Sequence, residues 1–110
     1  MTGPTQGVLR ALLERADDEQ YGMQIADRAE LAPGTTYPIL MRLKEDGWVE
    51  SRWEDIDPET VRRPARHYFR LTSLGATSAR EALQRVDDNA RARERRKRQR
   101  TPGARPGEAQ

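Results

Sequence analysis

The groups best equipped for chemistry in this chain are hydroxyls and guanidiniums, and they fall in two short stretches. The first, "APGTTYPILMRLKEDG" (32–47), sets Thr35, Thr36 and Tyr37 in a row behind Pro33 and Gly34, with Arg42 and Lys44 further along. The second, "VRRPARHYFRLT" (61–72), carries Arg62, Arg63 and Arg66 beside His67, the single histidine. Hydroxyls and arginines donate hydrogen bonds to phosphate oxygens and base edges, so the chemistry on offer is recognition of a polyanion rather than bond making. Catalytic material is scarce. Cysteine is absent, which removes thiolate nucleophiles, disulfides and cysteine zinc sites, and one histidine is too few for a triad or a histidine metal site. No glycine-rich phosphate loop, paired-carboxylate site or metal-ligand cluster emerges, and Asp17–Asp18 and Asp87–Asp88 read as solvated polar faces. The expectation is a protein that is not an enzyme and uses no cofactor and no metal.

Charge supports a polyanionic partner. Residues 1–60 hold 6 basic and 13 acidic side chains, net −7, whereas residues 61–110 hold 14 basic and 5 acidic, net +9. Such a division points to contact through the second half. The run "RARERRKRQR" (91–100), with seven basic residues and one acidic, either touches flanking phosphates or stays solvated. With 35% hydrophobic and 35% charged residues the core must be small, and a chain of this size gains stability by pairing. No segment has membrane-spanning length and the start lacks a signal-peptide pattern, so a cytoplasmic location is expected, on the nucleoid when bound to DNA.

Periodicity supplies the elements that must hold these groups. Val8, Leu9, Leu12 and Leu13 give residues 5–15 one apolar helical face, and Tyr21, Ile25 and Ala29 do the same for 19–30. A turn at 31–34 leads to a third helix over 35–46. After Gly47 the pattern changes: 48–56 reads as a strand, 57–65 as a loop with two prolines, and 66–72 as the returning strand. Residues 73–99 form the longest helical pattern, with Ala79, Leu83, Val86 and Ala90 as a stripe suited to dimerisation. Residues 100–110 lack an apolar anchor and read as a disordered tail. The expected architecture is α+β, mostly α: a winged helix-turn-helix of three helices and a two-stranded wing (1–72), then a C-terminal dimerisation helix with a basic end (73–99).

On a helical wheel the third helix has two faces. Thr36, Ile39, Leu40 and Leu43 point inward, and Tyr37, Pro38 and Met41 outward, with Arg42 and Lys44 on the flanks. A helix that reads the major groove needs this division, and its N-terminus suits a phosphate. Pro38 leaves two options. Either the helix begins late, with Thr35 as cap and Pro38 in the first turn, or Pro33 is its first residue and a local distortion follows.

The combination of "LAPGTTYPILMRLKEDGWVESRWE" with "RRPARHYFRLTSLG" and "YGMQIADR" resembles the PadR family of bacterial transcriptional regulators over roughly residues 5–76. The resemblance implies that Thr35, Thr36 and Tyr37 are recognition-helix contacts and that Arg63 and Arg66 are wing arginines, joined by Arg62, Arg42 and Lys44 from the residue reading. It also implies a homodimer, usually a repressor, on a palindromic double-stranded operator, with dimerisation through the C-terminal helix. Ala32 departs from the family pattern, standing where a capping serine or threonine is usual, and "ARHYF" replaces the usual basic-aromatic run. The alternative is a winged-helix module acting through protein partners or RNA. Trp48 and Trp53 read as a core anchor and a hairpin-stabilising pair, or as walls for a small aromatic effector. His67 reads as structural or as a DNA-backbone contact.

Overall fold

The computed structural model describes residues 1–99. The element order is α1 (Gly3–Glu14), β1 (Gln20–Tyr21), α2 (Gly22–Ala29), α3 (Pro33–Glu45), β2 (Val49–Trp53), α4 (Pro58–Val61), β3 (His67–Leu71) and α5 (Ser73–Gln99). The expectation for the tail at 101–110, and for Arg100 at the end of the basic run, lies outside the described residues. Two compact units result, Met1–Ala79 and a second beginning at Arg80.

The first unit is a winged helix-turn-helix. Thr2 caps α1 by accepting from the Thr5 N–H at 3.2 Å, and α1 buries Val8, Leu9, Ala11 and Leu12. Ile25 and Ala26 of α2 and Ile39, Leu40 and Leu43 of α3 close the helical side of the core. Phe69 and Leu71 of β3 and Val49 of β2 close the other side. The chain turns from α2 to α3 at Glu30, whose φ of 58° is left-handed, rather than at Pro33 and Gly34. Pro33 is the first helical residue, where a missing N–H costs nothing and φ is preset. Pro38 therefore lies inside α3, which settles the two options in favour of the early start.

Two expectations change. The sheet has three strands in the order β1-β3-β2, all antiparallel, instead of a two-stranded wing. Residues 20–21 leave the second helix to pair with β3, Gln20 opposite Phe69 and Tyr21 opposite Tyr68. Their reason is polar. Gln20 is buried, donates to the Ala11 carbonyl at 3.2 Å and accepts from Arg28, so its amide joins α1 to α2 from a strand position. Within the expected wing loop, Asp57 caps one helical turn, α4, by accepting from the Glu59 N–H at 3.1 Å and the Thr60 hydroxyl at 2.8 Å.

α5 begins at a tight knot. The Thr72 hydroxyl donates to the Gly47 carbonyl at 2.7 Å and accepts from the Gly75 N–H at 2.9 Å, while the Thr72 N–H reaches the Trp48 carbonyl at 3.0 Å. Gly75 has no room for a side chain, because a Cβ there would lie 1.9 Å from the Trp48 carbonyl oxygen. Backbone atoms cannot yield as a side-chain tip can. Gly75→Ala is expected to lower the melting midpoint by about 5–20 °C, as overpacking against fixed atoms does in a domain of this size. Gly34→Ala, with nothing within 4 Å, is expected to leave the midpoint unchanged or raise it slightly, since alanine favours helix. Equal melts for wild type and Gly75→Ala would show that the knot is not tight.

Candidate nucleic-acid interface

α3 presents the division that its sequence implies. Its four buried residues are Thr36, Ile39, Leu40 and Leu43, while Thr35, Pro38, Arg42 and Lys44 are exposed. Thr36 is only 1% exposed, and its hydroxyl donates to the Ala32 carbonyl at 3.0 Å. It anchors the helix and is not available to a ligand, which corrects its assignment as a contact. Ala32 offers no side-chain cap. Its carbonyl instead accepts the Thr35 and Thr36 N–H groups, each at 3.0 Å.

Tyr37 has a double allegiance. At 38% exposure it is partly accessible, yet its hydroxyl is bonded to His67 Nδ1 and its ring meets Phe69 edge-on at 6.0 Å. The hydroxyl expected to reach phosphate is therefore engaged, and Tyr37 acts first as the tie between α3 and β3. Burial, then the Lys44 ammonium, push the His67 imidazole below its usual pKa. The shift favours the neutral ring, and the tyrosine hydroxyl and Nδ1 share one hydrogen bond. Trp53 does not pair with Trp48. It stacks on His67 at 4.2 Å, whereas Trp48 lines a groove with Leu9, Ile39 and Leu43. The two indoles thus have different surroundings, Trp48 in that groove and Trp53 against the wing's histidine.

The wing is organised by a residue that sequence reading passed over. Glu54 accepts two bonds from the Arg63 guanidinium, at 2.7 and 2.9 Å, and a third from the Arg66 N–H at 3.2 Å, while its own N–H donates to the Arg66 carbonyl at 2.8 Å. Arg63 is thus a wing arginine, as expected in place, with its guanidinium engaged in holding the wing closed. The Arg63 guanidinium, with the Arg66 N–H, holds the Glu54 carboxyl down at about 2. Arg66 lies over the Tyr21 ring at 4.2 Å, a cation–π contact, and its charge also acts on the Glu54 carboxylate without a direct ion pair. Arg62, left-handed at φ 61° after α4, is exposed; its N–H donates to the Pro58 carbonyl, while its guanidinium makes no hydrogen bond or ion pair among the described residues. Tyr37, Arg63, Arg66 and His67 come together with Pro33 and Gly34 around one open cleft of about 720 Å³. On α3 and the wing, among the described residues, the side chains of Arg42, Lys44 and Arg62 have no ion-pair partner within salt-bridge distance.

A clue to Glu54 existed in the hairpin register. Trp53 pairs with His67 and Glu50 with Arg70, so one step further out Glu54 falls opposite Arg66. Glu50 and Arg70 are also joined, at 2.7 Å, and facing opposite charges stabilise a strand pair. A loop of unknown internal structure hides that register from sequence.

On α5, Ala79 and Leu83 of the expected dimer stripe are buried in the single chain, Val86 is half-buried and Ala90 exposed. In the second unit the basic run up to Gln99 is helical and exposed apart from Ala92, with Arg91 paired to Asp88 at 2.7 Å. Among the described residues no cluster could hold a metal ion, and no helix is long and apolar enough to cross a membrane.

Because Glu54 bonds only the wing, Glu54→Gln is expected to spare the fold and loosen residues 54–66. Amide hydrogen exchange there should accelerate by at least about tenfold, with the amides of Ile39–Leu43 unchanged. The same clamp should weaken in acid. A carboxyl lowered from 4.5 contributes fully above that pH and loses its contribution as pH falls towards 2. Exchange rates insensitive to Glu54→Gln would remove the clamp.

Comparisons with known proteins agree with this geometry. The family model described as "Transcriptional regulator PadR-like family" matches residues 8–81. No curated protein matches. A crystal structure of a transcriptional regulator is similar at 25% identity and TM-score 0.62, covering 87% of this chain; this chain spans 65% of that protein, under two thirds of its length. A PadR family regulator from Eggerthella lenta shares the fold at TM-score 0.66 and 22% identity, covering 80% of this chain and 78% of its own. A PadR-like transcription factor from Bacteroides fragilis does so at 0.60 and 22%, covering 83% and 90%. Its matched span, its winged helix and its long terminal helix place this chain in the PadR-like family of transcriptional regulators.

Proposed function

We propose that this chain is a sequence-specific regulator that binds double-stranded DNA as a homodimer and represses by occupying its operator. The observation that carries the reading is the state of α3. Four inward residues fix the helix, while Thr35 and, on its flanks, Arg42 and Lys44 are left exposed. Exposed hydroxyl, guanidinium and ammonium groups on one helix suit the phosphates and base edges of a major groove. Arg62 at the wing tip extends the cationic surface, and the basic run of α5 offers further phosphate contacts. A homodimer presents two such helices, and its operator is then two-fold symmetric. Family membership supports the same reading.

The test is selection from a randomised duplex pool, followed by affinity measurement over a range of salt. A two-fold symmetric site should emerge. Arg42→Ala and Arg62→Ala should each weaken binding and reduce the slope of log K against log salt by about 0.9, the signature of one lost phosphate contact. Thr35→Ala should cost on the order of 1–3 kcal/mol on the selected site if it meets a base edge. Recovery of no duplex, or enrichment of RNA or a protein partner instead, would overturn the proposal.

Dimerisation is assigned to the part of the stripe that the single chain leaves accessible. Val86→Asp with Ala90→Asp should give a monomer with an unchanged melt at low concentration, because neither side chain is fully buried. Sedimentation would show it. A wild-type chain that sediments as a monomer at micromolar concentration would contradict the assignment.

A further inference from the structure

The face of the hairpin that builds the core runs on past the core. Along the register Val49 pairs with Leu71, Ser51 with Phe69 and Trp53 with His67. Burial is complete at Phe69, partial at His67 and lost at Trp53, which is 61% exposed. Packing within the chain covers only part of this indole. One side of its ring is covered by His67, at 4.2 Å and 14° between planes, and the other is open. The platform is also rigid. His67 touches Phe69 at 4.4 Å between centroids and is bonded to Tyr37, so the indole is keyed through two rings to the first half of α3.

We propose that Trp53 is a DNA-positioning residue whose open ring face packs on a deoxyribose of the duplex backbone beside α3. This rests on the DNA-binding reading above. A flat apolar face suits sugar, which carries no charge, and Lys44, whose ammonium acts on His67, supplies the cation that the adjoining phosphate requires. His67 serves as backing for the indole and does not itself meet the ligand. Because the contact is with sugar, it fixes the register of the protein on the duplex without selecting a base. It is also uncharged, so its loss leaves the counterion balance untouched.

The experiment uses the full chain and a fluorescently labelled duplex selected from the randomised pool. Anisotropy of the label reports binding, and tryptophan emission reports Trp53, with Trp53→Phe isolating the emission of Trp48. The expected result is a change in emission on binding that is present in the wild type and absent in Trp53→Phe. Trp53→Ala should weaken selected and unrelated duplexes alike, by about 5- to 100-fold, with the salt slope unchanged and the melt preserved; Trp53→Phe should recover part of the affinity. Anisotropy that rises while emission stays constant, with Trp53→Ala at wild-type affinity, would overturn the assignment and leave DNA binding intact. An emission change that depends on protein concentration without DNA would overturn it too, giving the indole to a second copy of the chain. A flat anisotropy on every duplex would overturn both readings.

Discussion

Phe69 lies fully buried at the centre of β3, and β3 is the middle strand of the sheet. A slip of one residue would turn its side chain to solvent and bring Tyr68 or Arg70 into the core, so this one burial fixes the register of everything paired to the strand. With Phe69 inward, His67 falls on the same face and meets Tyr37 of α3. In the same register Glu54 comes opposite Arg66, and Glu50 opposite Arg70. The wing, its carboxylate clamp and the tie to the third helix all follow from where one phenyl ring is placed.

The cations divide by task as a result. Arg52, Arg63 and Arg70 each hold a carboxylate, of Glu19, Glu54 and Glu50, at 2.7 Å. The more exposed of these, Arg52–Glu19 and Arg70–Glu50, contribute little to stability and more to holding long side chains in place, whereas Arg63–Glu54 is partly buried. Arg42, Lys44 and Arg62 have no such partner among the described residues and are free to neutralise phosphate. A count of arginines overstates the binding surface. The number that matters is those left unpaired after the sheet has formed.

Much of this was legible in the sequence. The helical wheel identified Ile39, Leu40 and Leu43 as the anchor of α3, and the long helical pattern from residue 73 matches α5, which begins at Ser73. The two-residue strand at Gln20 and Tyr21 was not legible, because two residues carry no period and their reason, a buried amide bonding Ala11, is tertiary. The intramolecular partners of Tyr37 and Arg63 were missed for one reason. A helical wheel and a family motif show which side a residue leaves from, but not whether a partner distant in sequence takes its polar end. His67 is 30 residues from Tyr37, and Glu54 is nine from Arg63 across a loop. Thr36 shows the reverse case: the wheel placed it inward, and the fold agrees.

The central claim is that the outer face of α3 and the wing tip together form the surface that meets duplex DNA. Amide hydrogen exchange with and without a selected duplex tests it most directly, since protection maps the contact along the chain. The account predicts slowed exchange over residues 33–44 and 61–66, with α1 unaffected. Protection confined to α1, or to the second unit alone, would contradict it.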